Sequence, residues 1–346
     1  MVRIIGIIAI VVLGLLGLNL LASKGGHEAY DPRYFRPGPV IGLMKGLSAD
    51  ELEGRDIDTA GSRRAQEMIE ARLQAMNLLK IGNSYRQPFS GTISAGDDRP
   101  ERHVEGVNLV GVVQGQGDSD KVIVITAHYD HIGMDDEGRI YNGADDNASG
   151  VAAVFAIADY FSRKDSAPRH SLVLAFVDGE EWGSLGAEAF IEDGSLASES
   201  MAFNLNLDMV SRADNGKLWA SGVSRTPSLR SVLEEVSRSA PLDLDIGFDG
   251  ANPDQDDWTL MSDHRSFLAV GIPHLYLGVE DHPDYHQPTD DFANVDQDTF
   301  LKSVDTIIAV TRAIDENLED ILAGFDPDWK PVMRDHAGSE PASTEP

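Results

Sequence analysis

Apolar residues are distributed along the chain with two different periods. Residues 122–126 (VIVIT) and 172–177 (LVLAFV) are short, uninterrupted apolar stretches, the pattern of strands buried on both faces. Between them Val151, Val154, Phe155, Ala158 and Phe161 recur at helical spacing, which predicts a helix over 150–161. Residues 203–207 and 274–277 predict two shorter strands. Strands alternating with a helix predict an α/β domain with a mostly parallel, twisted central sheet flanked by helices. The segment 210–261 is less regular, with Asp, Gly and Pro concentrated over 243–257, and is expected to supply a pocket wall or lid. No internal repeat is visible.

The ends follow other patterns. Residues 4–22 are almost continuously apolar, preceded by Arg3 and the α-amino group and followed by Ser23-Lys24-Gly25-Gly26. The run is close to the ~20 residues that span a bilayer and longer than the ~7–15 of a signal-peptide core, and Leu20-Leu21-Ala22 is a poor cleavage site. Residues 1–23 are therefore expected to be a retained signal anchor rather than a cleaved signal peptide, with the body outside the cytoplasm, either membrane-anchored, periplasmic or secreted. Pro32, Pro37 and Pro39 among charged residues predict a linker over 24–40. The folded domain is expected over 41–325. Pro327, Pro331, Pro341 and Pro346 among polar residues predict a flexible tail over 326–346.

At 346 residues the chain is long enough for one large core or two small ones. Its 28 basic and 58 acidic residues give a net charge of −30, which repels nucleic acid and anionic headgroups. Nucleic-acid partners are excluded on that ground, and membrane contact is expected through the N-terminal segment only. Cysteine is absent, which removes disulfides and thiolate ligands, so a metal site must be built from His and carboxylate.

The candidate ligands follow the predicted strands. His128 and Asp130 come just after 122–126, Glu180 and Glu181 just after 172–177, and Asp208 directly after 203–207. The carboxyl ends of parallel strands share one rim, so residues distant in sequence converge there. Asp146 lies in the Gly-rich turn GADDNASG at 143–150, and His286 in the late loop DYHQP at 284–288. Each has a plainer reading alone: a core histidine, a helix cap, a solvated Glu-Glu pair. Together, two imidazoles and three carboxylates suit a catalytic zinc site, and five ligands exceed what one tetrahedral ion requires. Glu180 and Glu181 also end a strongly apolar strand, where paired carboxylates need a compensating cation or proton.

With these motifs in hand, the chain over 46–323 resembles the di-zinc aminopeptidase family of zinc metallopeptidases, bacterial leucyl aminopeptidase-like, whose relatives include glutamate carboxypeptidase and the glutaminyl cyclases. The resemblance is carried by GR at 54–55, GS at 61–62, YRQPF at 85–89, NLVG at 108–111, HYDH at 128–131, GADDNASG at 143–150, DGEEWG at 178–183, NLD at 206–208, SDH at 262–264 and YHQPTD at 285–290. It implies a zinc exopeptidase (phosphorylase/hydrolase-like) architecture, a peptide substrate and two zinc ions per chain.

Carried over by motif, the resemblance makes Asp146 the carboxylate bridging both ions, His128 and Asp208 ligands of one, and Glu181 and His286 ligands of the other. Glu180 becomes the general base, and Asp130 the partner of the second ring nitrogen of His128. A cis peptide is implied at Asp146-Asn147. The family's oxyanion tyrosine has no convincing match around Trp258-Thr259-Leu260-Met261, and neither His264 nor Tyr285 is assigned in its place. His131, His264, His274 and His282 exceed the five-ligand count and are expected to be structural or solvent-facing, with Asp263 a weaker supporting candidate. The expected activity is that of an aminopeptidase or dipeptidase. A glutaminyl cyclase would generally need one zinc, and a non-enzymatic binding domain on this scaffold would be expected to have lost ligands or Glu180.

Overall fold

The computed structural model describes residues 29–95 and 100–327. Met1–Asp31 is a unit by itself, of which only residues 29–31 are described, and the fold below is that of the unit Pro32–Pro346. The expected signal anchor over 1–23, residues 24–28 of the expected linker and the tail beyond residue 327 lie outside the described residues. Among the described residues no helix is long and apolar enough to cross a membrane.

Eight strands form one mixed sheet: β1 (Arg86–Ile93), β2 (Arg102–Val113), β3 (Val122–His128), β4 (Ser171–Val177), β5 (Met201–Leu207), β6 (Lys217–Ser221), β7 (Asp243–Ile246) and β8 (His274–Gly278). Their order is β1-β2-β4-β3-β5-β8-β6-β7. The central four, β4, β3, β5 and β8, run parallel. β1 and β2 extend one side antiparallel, and β6 joins β8 antiparallel with β7 parallel to it. All seven residues of β3 are buried, because helices cover both faces.

The helices are α1 (Pro37–Leu47), α2 (Ala60–Ala75), α3 (Gly150–Phe161), α4 (Leu185–Glu192), α5 (Leu229–Ser237), α6 (His264–Ala269) and α7 (Gln297–Ala323). On one face α3 packs on the central strands together with α1 and α7, and Phe155 stacks on Phe176 of β4 at 4.5 Å. On the other, Phe190 of α4 and Phe267 of α6 meet Val110, Val124, Val173, Ala175 and Val177. Alternation along β3 and β4 sends successive side chains to these two layers.

The segment expected as a linker is partly taken into the body. The backbone N–H groups of Arg33 and Tyr34 donate to the Asp305 carboxylate of α7 at 2.8 and 3.2 Å, and Phe35 and Val40 are buried. Pro37 sits at the start of α1, where its missing N–H costs nothing, so a proline that reads as a linker residue in sequence opens a helix here.

Candidate metal centre

The parallel register brings the candidate side chains to one rim. His128 pairs with Val177 across β3 and β4, and Thr126 pairs with Asn206 across β3 and β5. His128, the turn holding Glu180 and Glu181, and Asp208 therefore emerge side by side. The loop carrying Asp146 enters the same rim through Gly143, whose φ of 55° places it in the left-handed region. It leaves through Gly150, where a Cβ would collide with the carbonyl of Leu207. The Asp146-Asn147 peptide is cis. Asp290 fixes this loop by accepting the backbone N–H groups of Asp145 and Asp146 at 2.9 and 3.0 Å.

Asp146 sits between two sets of donors. Its Oδ1 lies 3.2 Å from Nε2 of His128, which is itself 3.2 Å from Oδ1 of Asp208. Its Oδ2 lies 3.2 Å from Nε2 of His286 and 3.7 Å from Nδ1 of His131. Glu181 completes the second set, with Oε1 2.6 Å from His131 and Oε2 3.3 Å from His286. His128, Asp146 and Asp208 offer ligand atoms all within 4.8 Å of one another, and so do His131, Asp146 and Glu181. Asp208 is oriented by Ser262, whose hydroxyl donates to it at 2.7 Å and accepts from Asn206 at 2.8 Å.

The electrostatics fit a cationic occupant. The ion pairs of Asp146, Glu181 and Asp208 are with histidines. Burial opposes protonation of His128, yet Asp208 and the hydrogen bonds to Asp130, Asp146 and Asp208 outweigh it and raise the ring well above its usual pKa. The same opposition at His286 ends with its pKa at about 10, through Asp146 and Glu181. Burial, reinforced by Asp263, Asp208 and Glu181, pushes the Glu180 carboxyl well above the usual range despite the opposing charge of His128. The carboxylates thus draw protons onto the histidines, supplying positive charge that divalent ions would supply in their place. With imidazole and carboxylate donors, no thiolate, and two sets sharing one carboxylate, the residues fit zinc.

A cavity of about 60 Å³ opens beside these groups. It is lined by Asp146, Glu180, Glu181, Asp208 and His286, by Met209, Trp258, Met261, Tyr276 and Val279, and by Asp281 and Tyr285. The segment 210–261, expected to be irregular, contains β6, α5 and β7 and supplies Trp258 and Met261 to the pocket wall.

Comparison with known proteins shows the family and the fold. Residues 108–311 match the model of peptidase family M28. The chain belongs to that family. It is 29% identical over 243 residues to a probable zinc metalloprotease of Pyrenophora tritici-repentis, covering 59% of this chain and 52% of the relative. The chain spans about half the length, or less, of the curated relatives it first matches. Porphyromonas gingivalis glutaminyl cyclase aligns with a TM-score of 0.65 and 19% identity, covering 82% of this chain and 99% of that one. A zinc aminopeptidase from Bacillus subtilis aligns at 0.62 and 16%, covering 80% and 95%. These two likenesses establish the M28 fold, an open mixed sheet with helices on both faces.

One side chain of the M28 site departs from the sequence reading. His131, expected to be structural or solvent-facing, is fully buried between Glu181 and Asp146 and belongs to the site. Its place three residues beyond His128 in the HYDH motif is the signal that counting ligands discarded. Asp130, the expected partner of the second ring nitrogen of His128, has its Oδ1 3.6 Å and its main-chain carbonyl 3.2 Å from Nδ1 of that ring. The Asp130 carboxylate accepts the backbone N–H groups of Glu180 and Glu181 at 3.1 and 3.3 Å, so it fixes the turn that presents both glutamates. His264 bonds the Trp258 carbonyl and stacks on His274, both buried, whereas Tyr285 lines the pocket.

Proposed function

We propose that the protein is a zinc aminopeptidase or dipeptidase that removes N-terminal residues from peptides outside the cytoplasm. The observation that carries the reading is the position of Asp146, whose two oxygens face separate histidine and carboxylate sets beside an open pocket. In this reading Asp146 would be shared by two zinc ions, with His128 and Asp208 holding one and Glu181 and His286 the other. His131 donates Nδ1–H to Glu181 and orients it.

When bound, zinc polarises the scissile carbonyl and makes a nearby water more acidic. Glu180 takes the proton from the attacking water and returns it to the leaving amine, the role its position at the pocket and outside both donor sets allows. A free substrate α-amine beside the second zinc would confine cleavage to the N-terminus. In this reading Tyr285, which lines the pocket, would donate a hydrogen bond to the developing oxyanion.

A panel of peptides with free and acetylated N-termini, including an N-terminal Gln peptide, tests this reading. Release of the first residue from free peptides only, abolished by a chelator, is expected. Cyclisation of the Gln peptide without hydrolysis of the others would assign a glutaminyl cyclase instead, and inertness toward all of them a binding domain.

A further inference from the structure

Four of the five carboxylates lining the pocket, Asp146, Glu180, Glu181 and Asp208, are absorbed by the metal and proton-transfer roles above. The fifth, Asp281, has no such role. It follows β8 by three residues, stands five residues before His286, and makes no hydrogen bond among the described residues. Burial raises its pKa from the ordinary carboxylate value, with Asp256 and Asp146 adding to the rise and His286 and His282 opposing it.

Apart from these carboxylates and His286, the pocket lining is apolar and aromatic. Trp258 stacks on Phe248 at 3.9 Å and meets Tyr276 edge-on at 5.5 Å, which fixes both rings. Met209, Met261 and Val279 complete this wall, and Met261 is 64% exposed, so the wall runs out toward solvent. No lysine or arginine lines the pocket. A long aliphatic stem ending in a positive charge matches such a surface: its methylenes cover the apolar wall while its head reaches a carboxylate and an aromatic face. A leucine side chain would cover the same wall and leave Asp281 unused. A glutamate side chain would place a like charge beside it.

We propose that Asp281 selects substrates whose N-terminal residue is lysine or arginine. The proposal rests on the aminopeptidase reading and deepens it by naming the side chain that the pocket takes.

The test uses the zinc-loaded full chain and matched aminoacyl anilides of Lys, Arg, Leu and Glu. The wild type is expected to hydrolyse the Lys and Arg compounds at least as well as the Leu compound, and the Glu compound about a hundredfold less well. Because Asp281 is exposed, Asp281→Asn should lower the Lys:Leu ratio of kcat/KM by about threefold to fivefold, the upper range for an exposed charge pair. Asp281→Lys should reverse the order of Lys and Glu. A ratio that moves by less than about twofold overturns the proposal. So does a uniform fall across all four substrates, which would place Asp281 at the α-amine. The affinities of lysine and leucine hydroxamates, measured by calorimetry on the same proteins, give the ratio without turnover. If no anilide is hydrolysed, the aminopeptidase reading fails, while the hydroxamate ratio still decides the role of Asp281.

Discussion

Glu180 and Glu181 share a side chain and a turn, and Asp130 holds both backbone N–H groups, yet only Glu181 joins the histidines. Glu181→Ala should therefore lower zinc content toward one per chain, with added zinc restoring part of the activity. Glu180→Gln should keep two zinc ions while kcat falls by roughly 10²–10⁴-fold with KM little changed. Metal analysis and turnover of both variants check this, and zinc loss in Glu180→Gln but not in Glu181→Ala would reverse the two roles. Most of this constellation was legible because His128, Asp208 and the two glutamates directly follow apolar strands. His131 and the contacts of the Asp130 carboxylate with the glutamate turn were not, since a motif names side chains but not which oxygen or nitrogen of each faces its neighbour.

At the scale of elements, α3 and the four parallel strands were readable from periodicity, because burial on both faces leaves continuous apolar runs. β1, β2, β6 and β7 lie toward the sheet edges, where mixed burial blurs the pattern, and the reading did not find them. Nor did it reveal the function of Arg55, noted only as part of a Gly-Arg pair. Its buried guanidinium donates to the carbonyls of Leu47, Tyr129, Asn142 and Gly143, tying the end of α1 to both loops that carry His128 and Asp146. Arg55→Met leaves these oxygens without that donor and should cost roughly 3–5 kcal/mol in urea unfolding; a loss under about 1 kcal/mol would contradict the clamp. Asp296 caps α7 by accepting the N–H of Thr299 at 2.7 Å, which depresses its pKa. Its contribution is present above the unfolded value of 3.8 and is lost as pH falls through the lower folded value. Asp296→Ala should thus destabilise by about 1 kcal/mol at pH 7. The difference should shrink in acid below the folded pKa, and a difference independent of pH would refute the cap.

For the whole molecule, a net charge of −30 and a carboxylate-rich rim favour cation binding over an empty site. Zinc at about 100 times its Kd should stabilise the fold by about 2.7 kcal/mol, seen as a higher Tm that a chelator reverses. Uptake at pH 7 should release protons, since the carboxylates hold His128 and His286 protonated and a metal requires them neutral. Zinc affinity should accordingly weaken as pH falls, and calorimetry in buffers of different ionisation enthalpy counts the protons. The central claim is that Asp146 joins two zinc sites in one catalytic unit. Titrating chelator-stripped protein with zinc while following release of an N-terminal residue tests it most directly: activity should rise to a plateau at two equivalents per chain, whereas full activity at one equivalent, or without metal, would contradict the account.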